Sequence, residues 1–123
     1  FYRPYRLTSR EVPLSCARAV LYGTADMQPL PHPSSEVCAV AKKDLRPGDT
    51  LDSIGEYAYR AWIMTYEGAA AAQAIPCGLL ENGKVTKSIR KGELITYGNT
   101  TVDQDSRIVA LRKRQDDLLA GNG

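Results

Sequence analysis

The sequence predicts a protein that is mainly β with flanking helices, an α+β fold whose central β body contains a pseudo-twofold repeat. The main observation is a phrase that occurs twice, because residues 43–51 return as residues 87–95 with an offset of 44 positions from Leu45 to Ile89. Both copies hold a Lys, an aliphatic residue followed by Arg, a Gly three residues after the aliphatic one, and an acid directly after that Gly. Apolar residues at helical spacing before and after the two copies predict the flanking helices.

Each copy is predicted to form a strand, a tight turn and a second strand. Gly48 and Gly92 mark the turns, since a residue without Cβ enters the positive-φ region at little steric cost. A single two-stranded hairpin buries too little apolar surface to be stable in water. Two copies therefore indicate two similar substructures packed about an approximate twofold axis, and chance similarity between ordinary turns is the alternative.

The length and composition are those of one domain with an appended segment. The chain has 123 residues, of which 43% are hydrophobic, and this content is enough for a core and argues against disorder. The net charge of +2, with acids and bases interspersed, provides no basic surface for nucleic acid or a membrane. No apolar run approaches the roughly 18 residues that span a bilayer. Because the chain begins at Phe1 rather than Met, we expect a piece of a longer protein.

Residues 1–35 are predicted to be an N-terminal segment with one helix and a Pro-rich linker. The helix starts near Ser9 and ends at Gly23, and it tolerates Pro13 only within its first turn. The alternating prolines of residues 27–35 cannot continue a helix or lie inside a sheet, so they form the linker. The helix has an apolar stripe at helical spacing, formed by Leu14, Ala17 and Leu21 with Cys16 and Val20 beside them.

Residues 36–104 are predicted to be the β domain. Apolar residues at 37–41 and alternating residues at 57–66 predict two strands. The alanine-rich residues 67–74 predict a short helix that depends on tertiary support. The Asn-Gly pair at 82–83 predicts a hairpin turn that leads into the second copy of the phrase.

Residues 105–123 are predicted to be a C-terminal amphipathic helix with Asp105 or Ser106 as its cap. Basic residues lie between its apolar ones, and they suit a solvated face or a dock for an acidic partner. The predicted apolar face consists of Ile108, Leu111, Leu118 and Leu119.

The three cysteines and the single histidine do not suggest a metal site. Cys16, Cys38 and Cys77 lack CxxC spacing and are odd in number, so we expect three reduced thiols that pack in the core of a cytoplasmic protein. His32 lies between prolines with no other site residue near it in sequence, and we expect it to be solvated.

The repeated phrase resembles the signature of SAF domains, in which an alanine-rich strand precedes acid-aliphatic-basic-x-Gly-acid-x-aliphatic. These modules are related to type III antifreeze proteins and to the small domain of sugar-acid dehydratases. The resemblance covers residues 36–102. It implies a β-clip fold, in which short strands form a compact pseudo-twofold body with few helices.

Further residues resemble the C-terminal part of homoserine-dehydrogenase-like oxidoreductases, a group that includes the deoxyxylulose-phosphate-reductoisomerase-like enzymes. These proteins place a Rossmann-type domain first and a SAF domain last, so residues 1–35 would be the remnant of an upstream catalytic domain. The residues that carry this resemblance are Tyr2-Arg3-Pro4-Tyr5 with Leu7-Thr8-Ser9, the helix through residues 17–23, Ile54-Gly55 with Tyr57, and Ile75-Pro76 with Gly78-Leu79.

The resemblance implies a cytoplasmic, homo-oligomeric parent enzyme that uses NAD(P), with a divalent metal as a further candidate cofactor. Its substrate would be a small phosphorylated compound or a polyol, and its partner would be the upstream Rossmann-type domain of the same chain. No nucleic acid or membrane partner is implied. The fragment itself would bind no cofactor, because it has no GxGxxG after a strand and no Ser/His/acid set with a usable His.

The candidate substrate-binding residues are Tyr2, Arg3, Tyr5 and Arg6. The two guanidinium groups are rigid forks for a phosphate or carboxylate, and the tyrosines supply hydroxyl donors and aromatic walls. The alternative is that the tyrosines pack against the β body and the arginines are solvated. We expect no catalytic residue in this chain. Its role in the parent would be to close the substrate cleft or to build the oligomer.

Two other functions are compatible with parts of the sequence. A carbohydrate or sugar-acid binding SAF module, of a dehydratase or sialic-acid-synthase type protein, explains the repeat but not the Tyr-Arg-Pro-Tyr segment. An ice-binding protein also explains the repeat. The charged residues inside the repeat region and the terminal helices of this chain argue against an ice-binding function.

Overall fold

The computed structural model describes residues 8–28 and 30–121. The chain divides into two compact units, Phe1–Pro31 and His32–Gly123. Within the described residues the protein is a small α+β protein with three helices and two small antiparallel sheets, which confirms the α+β class. None of the described helices has the length and apolar character needed to cross a membrane.

Helix α1 of the first unit spans Thr8–Tyr22, as the sequence predicts, and Gly23 follows it with a φ of 63°. Pro13 lies inside the helix rather than in its first turn, and its missing N–H removes the bond to the carbonyl of Ser9. Asp26 accepts a bond from the Ser15 hydroxyl and forms an ion pair with Arg18, 2.8 Å from Nη1 to Oδ1. These contacts hold the chain after the helix against its own last turns.

No residue of α1 is buried. The predicted apolar stripe is therefore exposed, and the expectation that Cys16 packs in a core is wrong. Helical spacing specifies which side chains share a face, but it does not specify whether that face is buried.

The second unit contains the β body. Strand β1 (Ser35–Ala41) pairs antiparallel with β2 (Tyr59–Thr65), in a register that runs from Ser35 opposite Thr65 to Ala41 opposite Tyr59. Strand β3 (Lys84–Val85) pairs antiparallel with β4 (Thr100–Thr101). Helix α2 (Tyr66–Ala71) follows β2 directly, a 3₁₀ turn spans Cys77–Leu79, and α3 (Arg107–Ala120) follows β4.

Each copy of the repeated phrase bonds to the other copy or to the residues just before it, in a reciprocal pattern. Several of these bonds have a counterpart whose donor lies 44 residues later in the chain and whose acceptor lies 44 residues earlier, as expected for an approximate twofold axis. The first pair of counterparts joins Gly48 N–H to the Val85 carbonyl and Gly92 N–H to the Ala41 carbonyl, both at 2.8 Å. The second pair joins Leu51 N–H to the Gly83 carbonyl at 2.8 Å and Ile95 N–H to the Ala39 carbonyl at 2.9 Å.

The two turns have the same construction. Gly48 and Gly92 have φ values of 93° and 88°, which confirms the predicted positive-φ glycines. The acid after each Gly accepts the backbone N–H of the Arg three residues before it, at 2.8 Å in both copies. The repeated acid thus satisfies a turn donor that no strand can reach.

A continuous apolar cluster fills the space between the copies, and equivalent repeat positions contribute to it in pairs. The buried side chains include Ala41 with Val85, Leu45 with Ile89, and Leu51 with Ile95. Cys38 and Cys77 are also buried, as predicted for two of the three thiols.

The Asn82-Gly83 turn forms, with Asn82 at a φ of 61°, but the predicted hairpin is wrong because β3 pairs with β4. Three segments meet at Gly83, where an added Cβ would lie 2.8 Å from the carbonyl oxygens of both Leu80 and Thr101. The glycine is therefore required for this close approach as well as for the turn.

Helix α3 begins after Ser106 in the N-cap position, as predicted, but it does not bury the predicted face. Ile108, Leu111 and Leu118 are exposed, whereas Val109 packs against the core. An ion pair of Arg112 with Glu36 joins the helix to β1, so Arg112 lies on the side of the helix that faces the body.

Candidate functional site

The predicted substrate-binding residues Tyr2, Arg3, Tyr5 and Arg6 lie outside the described residues, and their role stays a prediction. Arg46 and Arg90, the symmetric pair of the repeats, are exposed in their turns, and His32 is exposed as well. The site that the described residues form lies elsewhere, where α2, the start of β1 and α3 converge.

This site is a cleft of about 240 Å³ within the second unit. Its floor and walls come from five parts of the chain, and most of its polar side chains are far apart in sequence. The lining residues are Glu36, Tyr66, Ala69, Ala70, Gln73, Ala74, Pro76, Tyr97, Arg112 and Asp116.

An ion-pair cluster forms one wall of the cleft. Arg112 Nη1 lies 2.6 Å from Glu36 Oε2, and its Nε lies 2.7 Å from Asp116 Oδ1. Burial alone would lower the pKa of the Arg112 guanidinium, but the hydrogen bonds to Asp116 and Glu36 outweigh burial and raise it. The cluster carries two carboxylates and one guanidinium, so its formal charge is −1 and Arg112 is already paired on two sides.

Tyr97 places a hydroxyl beside this cluster. Burial raises the pKa of Tyr97, Arg112 lowers it, and Asp116 and Glu36 raise it further. The phenol therefore stays protonated at neutral pH and can both donate and accept a hydrogen bond.

Gln73 occupies an unusual backbone position at the cleft. It follows the end of α2 with a φ of 51°, and the Ala74 N–H donates to the Ala69 carbonyl at 2.9 Å, as in a Schellman ending. Glycine is the common residue at this position because side chains cost energy there. This chain has glutamine there instead of glycine. Tyr97 N–H donates to the Gln73 carbonyl at 3.0 Å, so the two residues lie side by side.

The polar side chains that line the cleft can donate and accept hydrogen bonds. Within residues 8–28 and 30–121, no group of His, Cys, Asp and Glu side chains could hold a metal ion. Two phenols, an amide and a net negative ion-pair cluster suit a ligand with several hydroxyl groups.

The sequence pattern does not predict this cleft. Glu36, Gln73 and Arg112 are brought together only by the fold, and no short motif links them. The one local signal is the i, i+4 spacing of Arg112 and Asp116, which is also the spacing of ordinary surface ion pairs on a helix.

Comparison of the chain with protein-family models gives no match, and comparison with curated proteins gives none either.

Proposed function

We propose that this chain is the C-terminal SAF-like domain of an NAD(P)-dependent oxidoreductase of the homoserine-dehydrogenase-like or deoxyxylulose-phosphate-reductoisomerase-like kind. The observation that carries the proposal is the reciprocal bonding of the two repeats, since a pseudo-twofold body built on two Gly turns is what a β-clip requires. In the parent protein the domain helps to close the substrate cleft or to build the oligomer, and it is not catalytic alone.

The two Gly turns do not suit the phosphates of a dinucleotide. A phosphate-binding turn needs free backbone N–H groups after a strand. In the two Gly turns, the acids Asp49 and Glu93 accept the N–H groups of Arg46 and Arg90, and their negative charge opposes a phosphate. In this proposal NAD(P), and any divalent metal, bind to upstream residues of the cytoplasmic parent, which acts on a small phosphorylated or polyol substrate.

The codons upstream of Phe1 test the proposal. We expect an in-frame strand, GxGxxG and helix there, and NADH or NADPH fluorescence should change when the full-length product is added. A start codon directly before Phe1, or a full-length product that binds neither dinucleotide, would overturn the assignment to this enzyme class.

The Tyr-Arg-Pro-Tyr segment has its own test. In the full-length enzyme, Arg3→Ala should raise KM or lower kcat for a phosphorylated substrate, because a guanidinium fork contacts the phosphate. Arg46→Ala, in an exposed turn, is the matched control. Unchanged kinetics for Arg3→Ala would remove this residue from the site.

The second candidate function is a carbohydrate or sugar-acid binding SAF module. The cleft beside Arg112 favours a neutral carbohydrate as its ligand, because the ion-pair cluster has a formal charge of −1. Its two phenols and its amide can bond to several hydroxyl groups of one ligand. Calorimetry with hexonates and neutral hexitols tests this function. We expect Tyr97→Phe to weaken binding by about 2- to 10-fold, the cost of one hydrogen bond. Tyr57→Phe, an exposed tyrosine outside the cleft, should bind as the wild type does. Absence of heat with every ligand would rule this candidate out.

A further inference from the structure

One face of the sheet formed by β1 and β2 carries a tryptophan, an arginine and several apolar side chains. Directly opposed residues of an antiparallel pair project to the same side of the sheet. Val40 and its partner Arg60 therefore share a face with Cys38, which lies two residues earlier on β1. Trp62 is the partner of Cys38 and lies on the same face. Ala69 of α2 belongs to the same buried cluster as Cys38, so α2 covers that end of the face.

Beside the covered end, this face forms a pocket of about 240 Å³. Its lining residues are Val40, Arg60, Trp62, Met64, Gly92 and Leu94. Apolar and aromatic side chains make up most of the lining, and Arg60 is its single charged residue. Sites for drug-sized molecules measure roughly 300–1,000 Å³, so this pocket suits a ligand with one ring and a short side chain.

Arg60 is stacked on Trp62 in a way that leaves its hydrogen-bond donors available. The guanidinium carbon lies 5.0 Å from the centre of the indole ring. Stacking uses the flat face of the guanidinium, whereas its N–H donors lie around the edge. No ion pair or hydrogen bond within residues 8–28 and 30–121 uses these donors. The pocket therefore contains a positioned cation that has no carboxylate partner in the described part of the chain.

The twofold-related position in the β body shows that the fold does not require this lining. Val40 bridges to Leu94. Its counterpart 44 residues later, Lys84, bridges to Thr50, the counterpart of Leu94. Lys84 also pairs with Thr101, where Val40 pairs with the arginine of the pocket. The same backbone pairing thus forms with polar residues, so it does not explain why the side chains of the pocket are apolar and aromatic.

We propose that this pocket binds a small aromatic carboxylate. The ring packs against the Trp62 indole, nearly half of which is exposed at 48%, and against the Met64 thioether. The carboxylate accepts two hydrogen bonds from the fork of the Arg60 guanidinium. One guanidinium balances the single charge of a carboxylate. A phosphate monoester carries about −1.5 to −2 at pH 7 and would need a second cation, which the described lining does not provide.

The inference goes beyond the proposed function. None of the residues that line this pocket also lines the cleft beside Arg112. Binding here is also independent of whether upstream residues bind NAD(P), so the two proposals can fail separately.

Trp62 provides the test, because it is the one tryptophan of the chain and its fluorescence reports on the pocket directly. Titration of the 123-residue chain with phenylacetate should change the emission saturably. We expect phenylacetate to bind about 10- to 100-fold more tightly than phenylacetamide, the neutral amide with the same ring. Cyclohexylacetate, which has the carboxylate without the aromatic ring, should bind about 2- to 10-fold more weakly than phenylacetate. No response to phenylacetate, or equal affinity for the acid and its amide, would overturn the proposal.

Substituting Arg60 tests the role of its charge. Arg60→Gln should lower the affinity for phenylacetate to that for phenylacetamide and leave the affinity for phenylacetamide unchanged, which a loss of folding would not do. Arg46→Gln, at an exposed arginine of a Gly turn outside the pocket, is the matched control and should bind as the wild type does. Unchanged affinity for phenylacetate in Arg60→Gln would place the ligand elsewhere and contradict the proposal.

Ionic quenchers test access to the pocket without an organic ligand. At equal ionic strength, iodide should quench Trp62 more strongly than caesium does, because Arg60 attracts anions to the indole. Phenylacetate should reduce the quenching by iodide, and Arg60→Gln should reduce the preference for iodide over caesium. A Trp62 that neither iodide nor neutral acrylamide reaches would show that the pocket is closed and would refute the proposal.

Discussion

Leu45 and Ile89, which occupy the same position in the two copies of the repeat, bond to each other through both of their backbone groups. Leu45 N–H donates to the Ile89 carbonyl at 2.8 Å, and Ile89 N–H donates to the Leu45 carbonyl at 3.0 Å. Their side chains are 2% and 1% exposed. The two copies are therefore bonded to each other at their centres, and we expect the β body to unfold as one unit rather than as two hairpins.

Truncating either side of this central pair should destabilise the protein by a similar amount. We expect Leu45→Ala and Ile89→Ala each to lower the free energy of unfolding by about 2–5 kcal/mol, from lost burial and the cavity left behind. Urea unfolding followed by circular dichroism measures the change. Val20→Ala on α1 is the control and should alter stability by less than about 0.5 kcal/mol. A large loss at one position with none at the other would contradict the symmetry.

The two turn glycines should respond differently from Gly78. An alanine Cβ would meet no heavy atom within 4 Å at Gly48, Gly92 or Gly78, so none of the three substitutions creates a steric clash with a neighbouring residue. Only the first two have positive φ. We expect Gly48→Ala and Gly92→Ala to cost about 1–2 kcal/mol each, while Gly78→Ala is neutral or slightly stabilising. Equal unfolding free energies for all three variants would show that φ does not govern these turns.

Tyr59 should make the protein less stable at high pH. Burial, with smaller contributions from Cys77 and nearby carboxylates, raises its pKa from 10.0 to about 12. Below pH 10 the phenol is protonated in both the folded and the unfolded state, and its contribution is fully present. Between pH 10 and 12 only the unfolded state loses the proton, so stability should fall by about 1.4 kcal/mol per pH unit.

Substituting Tyr59 isolates this effect. Its hydroxyl is buried with no hydrogen-bond partner among the described residues, so Tyr59→Phe should be neutral or stabilising at pH 7. Unfolding free energies at pH 9, 10 and 11 should show a shallower decline for Tyr59→Phe than for the wild type. Ile89→Ala, which is destabilised but keeps the phenol, should retain the wild-type slope. An unchanged slope in Tyr59→Phe would mean that other groups cause the decline.

The three thiols should separate into one fast and two slow groups. Cys16 is exposed, whereas Cys38 and Cys77 are buried and burial raises the pKa of both thiols. Since the thiolate is the reactive form, a disulfide reagent at pH 7.5 should modify one thiol rapidly and the others only after unfolding. Cys16→Ser should abolish the fast phase. A fast-reacting thiol that remains in Cys16→Ser would show that the core opens readily.

Some of the structure follows from local sequence. The positive φ of Gly48 and Gly92 needs only the absence of a Cβ, and their following acids reach donors within the same turn. Helix α1 likewise follows from spacing and its Gly23 stop. These features depend on residues within a few positions of each other, which is the range over which sequence patterns act.

Other features failed as predictions because they depend on what a segment packs against. The apolar residues of α3 suggested a buried face through Ile108, but Val109 and Arg112 face the body instead. The prediction that Cys16 is buried failed for the same reason. The strand after the Asn82-Gly83 turn pairs with β4 rather than with the segment just before the turn.

The sequence by itself determined the repeat, its two glycine turns and the aliphatic positions between them, since equal local patterns produce equal local structures. Only the tertiary structure decided that the copies bond to each other at Leu45 and Ile89 and that Arg112 meets Glu36 at a cleft. These contacts join residues that are tens of positions apart in sequence. Their energies depend on which surfaces the fold brings together, and local sequence spacing cannot predict that.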